Sequence, residues 1–218
     1  MSQRKPYRKQ PKKRKKGGGF PVPHSLKVFS AVLLIVFLVI GIAGSIDWDQ
    51  HLPEGGGDEV PQEYLPIYKA AEEEYGVPWN LLAAIHRMET IFSTMDPLLS
   101  PVGAEGHMQF MPCTWTGWSH PTCGGLGEGD IPEDVKTDPE QIETYGGYGV
   151  DATGNGVADP FDIEDAIYSA ANYLAASGAA DGEYERAVYA YNRADWYVED
   201  VIAYADRYVA EEEEGSAE

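Results

Sequence analysis

The sequence predicts an all-α domain held outside a membrane by a single preceding transmembrane helix. Two observations carry most of that reading. Residues 28–46 form nineteen consecutive positions without a charge, about the length a helix needs to cross a bilayer. From Tyr64 onward, apolar residues recur at three-and-four spacing in several separate segments, the period of a helix with one buried face.

Charge sets the topology. Of sixteen basic residues, ten lie within residues 1–27, and no acidic residue precedes Asp47. A span flanked by Lys and Arg on its N-terminal side keeps that side in the cytoplasm. The expected order is a basic cytoplasmic tail over 1–27, the span over 28–46, and everything later outside the cell membrane. A cleaved signal peptide is the competing reading, since Ile42-Ala43-Gly44-Ser45 offers small residues; the apolar run is longer than a usual signal core, which favours an uncleaved anchor. The basic tail is read as a topology signal and a partner for anionic headgroups. It lacks the aromatic interleaving of a nucleic-acid-binding segment, so no nucleic acid is expected as partner. Beyond residue 46 stand six basic and thirty-six acidic residues, a balance of −30, a field that favours solubility and repels anionic polymers.

Residues 47–60, with Pro53 and Gly55-Gly56-Gly57, have the composition of a flexible linker. The domain is expected over 61–209. Its first helix places Tyr64, Tyr68, Ala71 and Tyr75 on one face and stops at Gly76. Pro78 suits the first turn of the next. There the apolar positions 78, 81, 82, 85, 88 and 92 form a stripe, and Glu89 falls on it, four residues after Ile85. A carboxylate pointed among apolar neighbours is pushed toward its protonated form, which is the property of a general acid; the alternative is a structural carboxylate that caps the helix or pairs with a cation.

From Cys113 to Asp159 the chain is dense in Gly, Pro and acids with no sustained period, and a long ordered loop is expected. Cys113 and Cys123 lie outside the cytoplasm in this topology, where a disulfide is the favoured pairing; zinc held with His107 and His120 is the alternative, although Cys-x9-Cys is not a standard zinc spacing. His86 and Glu89 on one helix face could likewise share a metal, against which His86 reads as a polar neighbour of the carboxylate. Asp151, Thr153, Asn155, Asp159 and Asp162, with Gly156, follow an EF-hand-like calcium spacing. The alternative there is an Asx-rich turn in which Asp162 caps the following helix. Three more helical stripes follow, at Ile163, Ala166, Ile167, Ala170 and Leu174; at Tyr184, Ala187, Val188 and Tyr191; and at Val198, Val201, Ile202, Ala205 and Tyr208. Residues 210–218 read as a disordered acidic tail.

Several motifs then stand in one order: Glu89-Thr90-Ile91-Phe92; Ser100, Gly103, Ala104 and Gly106 leading into Met108-Gln109-Phe110-Met111-Pro112; and Ala190-Tyr191-Asn192. This set resembles the signature of the lytic transglycosylase domain, a family of lysozyme-like fold related to goose-type lysozyme and the soluble lytic transglycosylases. The resemblance implies a cleft for peptidoglycan glycan strands, Glu89 as the catalytic acid and base, and Ser100, Gln109, Met111, Tyr191 and Asn192 as substrate-binding residues. It implies cleavage of the bond between N-acetylmuramic acid and N-acetylglucosamine to give 1,6-anhydromuramic ends, by a monomer without cofactor or metal. A hydrolytic muramidase using the same Glu, with Asp96 or an acid of the long loop activating water, and an inactive wall-binding module are the alternatives. Thr90 stands where the family usually has Ser, and His107 where it often has Leu, a position expected to face solvent.

Overall fold

The computed structural model describes residues 59–215. The expected basic tail, the membrane span and nearly all of the linker lie outside the described residues, as do 216–218. Among the described residues there are no β-strands, and no helix is long and apolar enough to cross a membrane. The described domain is all-α.

Helix α1 (Leu65–Tyr75) ends at Gly76, whose N–H returns to the carbonyl of Glu72 at 2.8 Å. Helix α2 (Trp79–Thr90) follows after Pro78. It is buried on almost every side: Leu81, Leu82, Ala83, Ala84, Ile85 and His86 are all buried, and each large apolar side chain removed from water stabilises the fold by roughly 1.5–3 kcal/mol. Helices α6 (Ile163–Ala176) and α8 (Asp195–Gly215) pack against it together with α1, and α7 (Tyr184–Tyr191), preceded by a 3-10 turn (Ala179–Asp181), packs on α6 and α8. The most extensive packing is α2 against α8, then α1 against α6 and α2, and α7 against α8. α2 is therefore the central rod, and its last turn is held from several sides.

The stretch expected as one long loop contains three short helices, α3 (Pro112–Thr116), α4 (Glu133–Lys136) and α5 (Pro139–Tyr145). They escape a periodicity argument because one or two turns hold too few residues to show a period. Local chemistry starts them: Pro112 and Pro139 occupy first turns, and Asp138 caps α5 by accepting the N–H of Glu140 at 2.9 Å. The second departure is at the C-terminus, where α8 continues through the acidic run to Gly215 instead of ending near 209. Glu is a good helix former, Lys69 of α1 pairs with Glu212 at 2.5 Å, and Arg207 pairs with Glu211 one turn on at 3.6 Å.

Candidate active site

Glu89 sits in the last turn of α2 and is half-buried. Its Oε1 accepts a hydrogen bond from the Tyr197 hydroxyl at 2.5 Å. Burial pushes the Glu89 carboxyl up from 4.5 to about 7, and the Tyr197 bond opposes part of that rise by stabilising the anion. Tyr197 is itself held well above its ordinary value, by burial first and then by the neighbouring Glu89 and Tyr191. It therefore stays a donor whenever Glu89 is ionised.

The helix stops abruptly beyond the carboxylate. Ile91, Phe92 and Ser93 all adopt left-handed backbone, with φ of 50, 53 and 65°, a costly conformation for side chains with a Cβ. This turn returns Phe92 to the core and aims the Ser93 hydroxyl inward. Ser93 joins two imidazoles: His86 Nε2 lies 2.6 Å from Ser93 Oγ, and His107 Nδ1 2.7 Å from the same oxygen. The Tyr68 hydroxyl contacts His86 Nδ1 at 2.6 Å, and His107 Nε2 contacts the Phe161 carbonyl at 2.9 Å. Burial lowers His86 to about 3, so its ring is neutral near pH 7. His107, expected to face solvent, is half-buried in this chain because Ser93 and Phe161 supply partners for both ring nitrogens. Thr90 adds a second tie, its hydroxyl donating to the His107 carbonyl at 2.8 Å.

The loop after Leu98 folds on its own small residues. Ser100 donates its N–H to Ala104 O at 2.8 Å, and its Oγ accepts the Ala104 N–H at 2.9 Å. Glu105 and Phe110 exchange backbone bonds at 2.8 and 2.9 Å. Lys136, buried on α4, reaches Glu105 at 2.6 Å and fixes this loop from outside. Gly106 has φ +76°, and a Cβ there would lie 1.8 Å from the Pro160 carbonyl oxygen; only glycine permits that approach. Gln109 is left-handed as well (φ 50°), and its side-chain Nε2 donates to Gly106 O at 2.8 Å.

This loop, α3 and α7 border a cavity of about 450 Å³ whose walls include Gln109, Met111, Trp118, Tyr173, Tyr191 and Arg193. Of the residues expected to bind substrate, Gln109, Met111 and Tyr191 come together here. Ser100 and Asn192 do not line it. Ser100 closes its own turn, and Asn192 ends α7, its N–H donating to Val188 O at 3.0 Å while its carbonyl accepts the Ala194 N–H at 2.9 Å. Glu89 also lies off the cavity wall. Tyr191 connects the two regions: its hydroxyl is pushed well up by burial and then by Glu89, and it donates to Met108 O at 2.7 Å. The hydroxyl that bonds the carboxylate is Tyr197, not Tyr191, because α8 begins its first turn directly over the end of α2.

Tyr197 was the residue missed from sequence. Tyr197, Val201, Ala205 and Tyr208 are the buried positions of α8, and their three-and-four spacing was the available signal; a stripe started at Val198 steps past it.

The metal alternatives do not assemble. Cys113 and Cys123 are joined as a disulfide, with Cα atoms 5.7 Å apart, and no group of three or more His, Cys, Asp or Glu converges among the described residues. In the Asp151–Asp162 segment the side-chain oxygens turn onto nearby backbone. Asp151 accepts from Asn155 N (3.0 Å) and Gly156 N (2.7 Å), Asp159 from Phe161 N (2.8 Å), and Asp162 caps α6 through Glu164 N (2.9 Å) and Asp165 N (3.2 Å). The buried Asp165, outside the calcium spacing, organises the segment by accepting from Ala152, Thr153 and Asp159 N–H groups. No protein-family model matches the chain, and neither a curated protein nor a solved structure is significantly similar to it.

Proposed function

We propose that this chain is a lytic transglycosylase of lysozyme-like fold that cleaves the β-1,4 bond between N-acetylmuramic acid and N-acetylglucosamine in peptidoglycan. In this proposal residues 28–46 anchor it in the cell membrane with 1–27 in the cytoplasm, and the domain works on the outer side. The observation that carries the reading is Glu89: a half-buried carboxyl, raised to about 7 and bonded by one tyrosine hydroxyl, whose charge reaches Tyr191 on the wall of a cleft also bordered by Gln109 and Met111.

The chemistry needs one group to act twice. Protonated Glu89 gives its proton to the glycosidic oxygen as positive charge develops on the muramic ring. Tyr197 then stabilises the carboxylate that remains, through a charge-assisted bond. That carboxylate accepts the proton of the ring's own 6-hydroxyl, whose oxygen closes on the anomeric carbon and leaves a 1,6-anhydro end. A pKa near the working pH suits a group that must both donate and accept. Burial, not a neighbouring acid, is the leading cause of the raised value, in keeping with a mechanism that requires no second carboxylate.

The test is mass spectrometry of muropeptides released from purified peptidoglycan by the full chain in detergent, with Glu89→Gln as control. Products lighter by one water than reducing muropeptides, released by wild type alone, are expected. Reducing ends would instead mean hydrolysis, and equal release by the variant would remove Glu89 from the mechanism.

A further inference from the structure

Basic side chains are scarce in this domain, and nearly all of them are committed to neighbours. Among the described residues, Lys69 pairs with Glu212, Lys136 with Glu105 and Glu133, Arg186 with Glu183 and Arg207 with Glu211. Arg87 lies over the Tyr204 ring, 3.9 Å from its centroid. The sixth, Arg193, stands on the exposed link between α7 and α8 and forms part of the cavity wall. Its charge reaches the Tyr173 hydroxyl on the same wall, easing that group's ionisation against the larger effect of burial.

Part of the same cavity's lining is apolar and braced. Trp118 is 53% exposed and Leu126 67% exposed, and both line the same cavity. The segment that carries them is stapled at its root. Cys113 is bonded to Cys123, and its N–H donates to Gly127 O at 2.9 Å. At Gly127 a Cβ would meet Met111 Cβ and the Trp118 ring, each at 3.3 Å, so the indole is packed closely against the wall that begins at Met111. An exposed aromatic face and a guanidinium that line one cavity can together bind a ring-shaped apolar face and a carboxylate.

We propose that Trp118 and Arg193 form a subsite for the carboxylate-bearing part of the glycan: the indole packs on a sugar face while Arg193 holds a carboxylate of the adjoining lactyl group or stem peptide. The inference rests on the peptidoglycan reading and adds to it the group that is recognised. Charge makes the arginine consequential. With a balance of −30 beyond residue 46, the field of the domain opposes an anionic polymer, and a cation at the cleft supplies the local attraction that admits one. A neutral glycan has no use for it.

The experiment measures binding by titration calorimetry with the full chain in detergent, in a Glu89→Gln background that prevents turnover. Three probes are used: glycan oligomers with stem peptides, the same oligomers stripped of peptide so that lactyl carboxylates are free, and neutral N-acetylglucosamine oligomers. Arg193→Gln should weaken binding of carboxylate-bearing glycans roughly ten- to a hundredfold, the worth of a charge-assisted pair, and change binding of the neutral oligomers less than about twofold. Arg193→Lys should recover part of the loss, and Trp118→Ala should weaken all three. A loss confined to the peptide-bearing probe assigns the carboxylate to the stem peptide; a loss with the stripped probe assigns it to the lactyl group. Equal effects of Arg193→Gln on charged and neutral oligomers, or no effect on either, overturn the subsite. If the wild type cleaves peptidoglycan in that case, the subsite alone has failed; if it neither cleaves nor binds any probe, the peptidoglycan reading has failed with it.

Discussion

Replacing Glu89 with glutamine should abolish cleavage and at the same time stabilise the protein, by an amount that depends on pH. The amide keeps the shape of the side chain, and its oxygen can still accept the Tyr197 hydroxyl bond seen at 2.5 Å; what disappears is the charge. In the folded protein burial raises the carboxyl from 4.5 to about 7, whereas the unfolded chain ionises near the ordinary value. Below 4.5 both states hold the proton and burial has no electrostatic cost. As pH rises toward 7 the unfolded state releases its proton while the folded state keeps it, so stability falls, and above 7 the loss is complete. The interval from 4.5 to about 7 corresponds to on the order of 3 kcal/mol at pH 8 and about 1 kcal/mol at pH 5. Urea unfolding of both proteins, followed by tryptophan fluorescence at pH 5 and pH 8, measures the difference directly, because the other thirty-five acidic groups titrate alike in each. A variant no more stable than wild type at pH 8, or a gain the same at both pH values, would refute the claim that desolvation holds Glu89 protonated.

Three further predictions concern the groups around it. Tyr197→Phe removes the bond that stabilises the Glu89 anion, worth about 1.5–3 kcal/mol for a charged acceptor; the upper limb of the activity–pH profile should move alkaline by roughly one to two pH units, and an unmoved limb would mean that Tyr197 does not tune the carboxyl. Gly106→Ala should give little folded protein, since its Cβ would sit 1.8 Å from the Pro160 carbonyl oxygen, while Gly154→Ala, with φ +70° and nothing within 4 Å, should cost only the roughly 1–2 kcal/mol of a left-handed alanine; similar melting temperatures for the two would contradict the packing described. Ser93→Ala leaves two imidazole nitrogens without their shared partner, at about 1–3 kcal/mol for the buried His86 and less for the half-buried His107, and should lower the urea midpoint without changing the slope of the transition.

The helices were legible where they are long and one-sided. α1, α2, α6, α7 and α8 announce themselves through apolar spacing, and the stop at Gly76 and the cap at Asp162 are local chemistry that a sequence carries openly. α3, α4 and α5 were not, because helices of one or two turns owe their existence to caps and to what they pack on. The candidate site divides in the same way. Glu89 was found because a charged residue on an apolar stripe is a contradiction that demands a reason. Ser100 and Asn192, expected at the substrate, do not line the cavity; Ser100 Oγ closes its own turn, and spacing cannot tell a hydroxyl aimed at a cleft from one aimed at its own backbone. Tyr197 pairs with Glu89 across 108 residues, and no local pattern encodes such a meeting.

The row of Tyr68, His86, Ser93 and His107 has a direction. The Phe161 carbonyl can only accept, so His107 Nε2 carries a hydrogen; when the other nitrogen of that ring accepts, Ser93 donates to it, His86 donates to Ser93, and Tyr68 donates to His86. A chain with one polarity cannot be altered a link at a time, because changing any member leaves a mismatched donor or acceptor in the interior. Descendants of this sequence should therefore keep Tyr68, His86, Ser93 and His107 together or lose them together, and a library randomised at these four positions and selected for folding should return coordinated combinations rather than independent ones.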